Sequence, residues 1–91
     1  MSETPIAPPQ GYLGHLIAHY RNKRGMSLQD VADEARSTKA HIWDMEKGRS
    51  RNPTAETIFG LSVALDCDAA EILRCAIADL PGARITPVIP D

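Results

Sequence analysis

The chain has two sets of side chains with the donor chemistry of a metal or covalent centre: His15 and His19, four residues apart, and the cysteines Cys67 and Cys75. Two histidines at that spacing share one face of a helix, but a zinc centre needs at least three protein ligands, and no third ligand lies near them. No metal and no cofactor are expected. The cysteines could be bridged; in a reducing cytosol, two cysteines in a helical stretch pack as small buried hydrophobes instead. The chain carries no glycine-rich phosphate cradle and no Ser, His and Asp set that a fold would clearly bring together. It is therefore not expected to be an enzyme.

The remaining chemistry is ionic. The formal net charge is −2, yet eight of the ten Lys and Arg residues lie between Arg21 and Arg51, against five acids. Residues 52 to 91 hold only Arg74 and Arg84 against six acids. A basic middle can steer a chain towards phosphates even when the molecule as a whole is acidic.

The basic residues need elements to position them, and apolar periodicity supplies five helices. Leu13, Leu16, Ile17 and Tyr20 make the stripe of a first helix that ends near Gly25. Ser27 with Asp30 is a carboxylate variant of the capping box, opening a short second helix whose inner face is Val31, Ala32 and Ala35. Thr38 caps a third helix. There Ile42 and Met45 point one way, and Lys39, Ala40, Trp43, Asp44 and Lys47 the other, until Gly48 stops it. Thr54 caps a fourth helix with Ile58, Leu61 and Leu65 inward. Asp68 with Glu71 forms a capping pair for a fifth, which runs through Ile72, Leu73, Ala76 and Ile77 to Pro81 and Gly82. Only four residues are Phe, Trp or Tyr, which favours aliphatic helix packing over a β-sandwich. The expectation is an all-α fold: a flexible Pro-rich arm over residues 1–11, a helical domain over 12–80 and an irregular tail over 81–91.

Two short helices joined by about three residues, the second with an outward face free of large aliphatics, match a helix-turn-helix, whose second helix enters the DNA major groove. The stretch GMSLQDVADEARSTKAHIWDMEKGRSRNPTAETIFGLSVALDCDAAEIL resembles the phage repressor and Cro type of helix-turn-helix, the XRE family. The parts carrying the resemblance are Ala32, Ile42 with Met45, MEKG with Glu46, and RNPT ahead of the fourth helix. With the first helix included, it covers roughly residues 12 to 77. It implies a five-helix, lambda-repressor-like domain.

By this resemblance, Thr38, Lys39, Ala40 and Asp44 fall at base-reading positions. Lys39 can donate to guanine, Asp44 can accept from cytosine, and Ala40 can meet a thymine methyl group. Backbone contacts are expected from Ser27, Leu28 and Gln29 at the start of the second helix, and from Lys47, Arg49 and Arg51, with Trp43 beside them. Arg21 and Glu46 match positions that pair as a partly buried salt bridge holding the third helix. The family usually has Gly where this chain has Arg36, because the backbone there takes positive φ. Arg36 is expected to bear that strain and to project towards a phosphate. Ser37 stands where the family prefers an aliphatic residue.

A chain of 91 residues supports one small domain. It has no apolar run of about 18 residues and no signal-like N-terminus, so a cytoplasmic protein with no membrane partner is expected. One reading helix covers few base pairs, so the partner expected beside a double-stranded DNA operator is a second copy. Phe59 and Val63, four apart and off the inner stripe of the fourth helix, are the candidate dimer contact. The expected function is a transcription regulator acting as a repressor. The alternatives are the antitoxin of a toxin and antitoxin pair, which would hold a toxin through the chain ends or the acidic C-terminal face, and a protein-interaction module without DNA binding.

Overall fold

A computed structural model describes residues 8–89 of the chain. Residues 1–7 of the expected arm and residues 90 and 91 of the expected tail lie outside the described residues. Five helices follow in order: α1 Gly11–Lys23, α2 Leu28–Ala35, α3 Lys39–Glu46, α4 Ala55–Leu65 and α5 Ala69–Ala78. There is no strand among the described residues.

Four helices begin on a side-chain cap close in sequence, because the first N–H groups of a helix have no partner within it. At α2 the Ser27 hydroxyl accepts from the Asp30 amide at 3.0 Å, and the Asp30 carboxylate accepts from the Ser27 amide at 2.9 Å. Thr38 caps α3 through the His41 amide at 3.1 Å, and Thr54 caps α4 through the Thr57 amide at 3.1 Å. Asp68 caps α5 through the Ala70 amide at 2.9 Å. The expected reciprocal contact from Glu71 is not made. Its carboxylate accepts instead from the Tyr20 hydroxyl of α1, at 2.9 and 3.1 Å. The partly buried hydroxyl needs an acceptor, and this one ties α1 to α5.

The first four helices end alike. Gly25, Arg36, Gly48 and Asp66 all take positive φ, between 52° and 79°. At each, the next amide reaches five residues back: Met26 to the Arg21 carbonyl, Ser37 to Ala32, Arg49 to Asp44 and Cys67 to Ser62. This is the Schellman closure, which turns the chain away while satisfying a terminal carbonyl. Arg36 and Asp66 close their helices without glycine, with Arg36 at φ 56° and ψ 47°.

Helix α1 starts at Gly11, inside the expected arm, and has no local side-chain cap and no acid in its first turn. Asp79, just past the end of α5, supplies the cap by accepting from the Tyr12 and Leu13 amides at 2.7 and 3.1 Å. Helix α5 stops at Ala78, short of the expected Pro81.

The core draws on every helix: Leu13, Leu16 and Ile17; Val31 and Ala32; Ile42 and Met45; Leu61, Ala64 and Leu65; Ile72, Cys75 and Ala76. Leu73 and Ile77, two of the four apolar residues that marked the fifth helix, are exposed. The buried stripe of α5 is Ile72, Cys75 and Ala76, and residues one step further round a 3.6-residue turn face outward. Both cysteines are free thiols. Burial pushes Cys75 up to about 12 and Cys67 up to about 11, with the Glu71 charge adding to both. Residues 79–89 are not helical; Ile89 packs back against the core while Val88 is exposed. No helix among the described residues is long and apolar enough to cross a membrane.

Candidate nucleic-acid interface

Helix α3 has only eight residues, too few to be stable in water alone. Its placement comes from its neighbours. Ile42 and Met45 anchor its inner side in the core. At its C-terminal end, Arg21 Nε and Nη2 both donate to Glu46 Oε1, at 3.1 and 2.9 Å. Glu46 is 6% exposed and Arg21 20%. The remaining Arg21 nitrogen, Nη1, donates to the Met26 carbonyl at 3.0 Å. One guanidinium therefore joins α1, the turn before α2 and the end of α3. Gly14 lets α1 approach that end: a Cβ there would lie 2.5 Å from the Glu46 carbonyl oxygen.

The outward side of α3 carries Thr38, Lys39 and Ala40, all exposed, with Asp44 half-buried. Lys39, Ala40 and Asp44 are thus carried by α3 off its buried stripe, and Thr38 stands just before them as the N-cap. The Thr38 hydroxyl already accepts the cap bond, which leaves its proton and one lone pair for a ligand. The Asp44 carbonyl receives the Arg49 amide at 2.8 Å and the Ser50 amide at 3.3 Å, which folds the following loop back onto α3. Trp43 is half-buried beneath that loop, with the Arg49 Cζ 4.3 Å from its ring centroid.

The expected backbone contacts divide into three groups. Lys47, Arg49 and Arg36 are exposed cations around α3. Arg51 is exposed but engaged: its Nε donates to the Gly48 carbonyl at 2.8 Å and its Nη2 reaches the Pro9 carbonyl at 3.5 Å. The start of α2 is the weakest of the three. The Ser27 amide and hydroxyl are both used in the capping box, and the Leu28 side chain packs on the core. The Gln29 amide nitrogen donates to Asp33 at 2.9 Å. Hydrogen bonds to the Ser27 backbone and side chain hold the Asp30 carboxyl below its ordinary range. A carboxylate at that end opposes a second anion, so a phosphate there is left with little beyond the Leu28 and Gln29 backbone amides.

Three further contacts have no counterpart in the residue pattern. Ser37 Oγ and His41 Nδ1 are 3.0 Å apart at the corner, an i to i+4 spacing that could have signalled the pair. Arg24 Nη1 donates to the Ala64 carbonyl near the end of α4. Asp79 capping α1 has no local signal at all. His15 is exposed, and His19 packs edge-on against Tyr20 with centroids 4.9 Å apart.

On its far side α4 exposes Phe59, 68%, and Val63, 53%. These residues border a groove of about 830 Å³ between α4 and the α2–α3 corner, whose rim includes Glu34, Arg36 and Glu56.

Comparison with known proteins places this architecture. A helix-turn-helix family profile matches residues 17–72. The HTH-type transcriptional regulator SinR of Bacillus subtilis is 28% identical over 61 residues, which make up 67% of this chain and 55% of that protein. The regulator SlrR of the same species is 27% identical over 60 residues, 40% of its length. The chain thus spans about half the length of the curated relatives it matches. Among solved structures, SinR in complex with DNA superposes with a TM-score of 0.63 at 28% identity, covering 67% of this chain and 97% of that one. The restriction-modification controller C.AhdI from Aeromonas hydrophila superposes with a TM-score of 0.64 at 22% identity, covering 69% and 94%, and shares the fold. With the family profile extending from the core of α1 into α5, and with a helix pair closed at Arg36 and anchored by Glu46, the chain belongs to the helix-turn-helix family of the phage repressor and Cro type, XRE.

Proposed function

We propose that this chain binds double-stranded DNA in the major groove through α3 and regulates transcription in the cytoplasm as a homodimeric repressor. The observation that carries this reading is the outward side of α3. Thr38, Lys39, Ala40 and Asp44 are presented together by a helix held at both ends, with the exposed cations Arg36, Lys47 and Arg49 around it. Lys39 donates to guanine O6 and N7, Asp44 accepts from cytosine N4, and Ala40 meets a thymine methyl group, while the surrounding cations take phosphates. The likeness to SinR, a protein solved in complex with DNA, supports the reading. The chemistry is recognition rather than catalysis, and the family is not an enzyme family.

The second copy is assigned to the Phe59 and Val63 face. Each copy offers both an exposed Phe and an adjoining groove, and the rim carries Glu34 and Glu56 as well as Arg36. What supports a two-fold contact here is that a second copy would take both exposed apolar side chains out of water. A solution mass equal to the monomer at high concentration overturns this part.

The test of the whole is selection of sites from a random duplex library, repeated at several salt concentrations and with Lys39→Ala. The expected result is a palindrome with half-sites about one helical turn apart, affinity that falls steeply with salt, and relaxed preference at one position in the variant. No enrichment even at low salt would leave α3 as a scaffold and turn the search to a protein partner.

A further inference from the structure

We infer that Trp43 is a positioning residue for DNA binding: its ring holds the Arg49 guanidinium in place to grip a phosphate at the C-terminal end of α3. This rests on the DNA-binding reading above and assigns to Trp43 a role that base reading does not require.

The geometry starts from the backbone. Gly48 takes a φ of 79°, and the Arg49 amide then donates to the Asp44 carbonyl at 2.8 Å, so the residue after the turn lies back along the last turn of α3. Its side chain crosses Trp43, with Cζ 4.3 Å from the ring centroid. A guanidinium held over a ring face by cation–π attraction keeps its N–H donors available for other partners. Arg49 is exposed, and its side chain has no hydrogen-bond partner among the described residues. Its five donors are therefore free while its position is restricted. Arg51, two residues on, is the contrast: its guanidinium is already committed to the Gly48 and Pro9 carbonyls.

An unstacked surface arginine loses rotamer freedom whenever it binds a phosphate. One that is already stacked has lost much of it beforehand, so each hydrogen bond formed is retained more fully. The half-buried ring keeps its own place through α3, which also carries the base-reading residues. The grip is thus set in register with Lys39 and Asp44. Lys47, exposed on the neighbouring turn, adds charge to the same end.

The test is a double-mutant cycle in DNA affinity on the duplex selected above, using the full chain with Trp43→Ala, Arg49→Ala and both together. Trp43→Phe and Arg49→Lys serve as conservative variants, and melting curves identify a temperature at which every variant is folded. Arg49→Ala should weaken binding and reduce the slope of log affinity against log salt by about 0.9, the loss of one phosphate contact. Trp43→Ala should weaken binding by about two- to fivefold, the scale of an exposed cation–π contact, with the salt slope kept. In the Arg49→Ala background it should have no further effect. Trp43→Phe should restore most of the loss, and Arg49→Lys should not replace Arg49.

Trp43 is the chain's one tryptophan, so its emission reports the stack directly, with or without DNA. It should differ between the unmutated chain and Arg49→Ala. Equal emission in the two, or additive losses in the cycle, overturns the positioning role and leaves the DNA reading intact. If the unmutated chain binds no duplex at any salt concentration, both fall together.

Discussion

Asp79 is the one acid among the described residues that caps a helix distant in sequence, and removing it should loosen the domain measurably. Its two carboxylate oxygens accept from the Tyr12 and Leu13 amides at 2.7 and 3.1 Å. Gln10, at the N-cap position, makes no side-chain cap of its own, and the first turn of α1 contains no acid. Asp79→Ala therefore strips α1 of its side-chain cap. A lost cap costs about 1 kcal/mol and up to about 2, and an anion at a helix N-terminus adds about 0.3 to 1 kcal/mol. The carboxylate also sits at the C-terminus of α5, where that helix dipole opposes it, so the net loss is about 2 kcal/mol, below the full sum. For a domain of this size that lowers Tm by roughly 10 °C. Asp79→Asn, with one acceptor oxygen in place of two, should lose about half as much. Gly11 tests the same contact from the other side. It has a φ of 83°, and a Cβ there would lie 2.9 Å from Asp79 Oδ1. Gly11→Ala should cost stability both through backbone strain and by displacing the carboxylate, so its penalty should shrink in an Asp79→Ala background. The assay is urea and thermal unfolding of the four chains in this cycle. An Asp79→Ala melt within about 1 °C of the unmutated protein, or strict additivity with Gly11→Ala, would refute the reasoning.

Glu46→Ala should destabilise the domain by about 3 kcal/mol, the low end for breaking a buried pair because Arg21 remains 20% exposed; an unchanged denaturation midpoint would contradict this. Arg36→Gly should raise stability by about 1 kcal/mol by relieving the left-handed strain at φ 56°, and if Arg36 holds a phosphate the same variant should lose affinity and about 0.9 of salt slope. A more stable protein with unchanged DNA affinity would dispose of the phosphate role. The Tyr20 hydroxyl is pushed up to about 12 by burial and by its bond to Glu71, so its contribution to stability is complete below pH 10 and is lost as pH rises towards 12. Unfolding midpoints across that range should fall more steeply for the unmutated chain than for Tyr20→Phe, and parallel curves would count against the assignment. Cys75, buried and with its thiol pushed up to about 12, should resist alkylation at pH 8 until the chain unfolds, while Cys67 reacts slowly in the folded state; rapid modification of both would show that the core opens there.

What could be read from the sequence follows the range of the interactions involved. Ser27 with Asp30, Thr38 and Thr54 cap their helices through contacts three residues long, and Gly25 and Gly48 close theirs within a turn. Such contacts depend on local residue types, so the residues were enough to place them. Asp68 with Glu71 has the same pattern and only half the contact, because Tyr20, 51 residues away, takes the Glu71 carboxylate. Nothing local distinguishes that case from Ser27 with Asp30. The Asp79 cap, 67 residues from Tyr12, is beyond any local rule. In α5, Ile72 and Ala76 of the expected apolar set are buried, and Cys75 completes their face as a small hydrophobe while Leu73 and Ile77 lie outside it. At the interface, residue types located the outward side of α3. They could not show that Arg51 is engaged or that Arg49 lies over Trp43.

These long-range contacts bear on how an eight-residue helix can be both well placed and open to change. The main restraints on α3 act through its ends and its inner side: Thr38 and the Arg36 corner before it, Gly48 and the Arg21–Glu46 pair after it, Ile42 and Met45 beneath. Lys39 and Ala40 take part in none of them through their side chains and are exposed. Substitution at these two positions should therefore change what the helix recognises with little effect on whether it folds, since exposed sites free of such features usually shift stability by no more than about 0.5 kcal/mol. Trp43 and Asp44 differ because the returning loop packs on one and bonds to the backbone of the other. The division between exposed and holding residues thus runs along the helix surface, and on the proposed reading a new specificity arises at Lys39 and Ala40 without rebuilding the support beneath them.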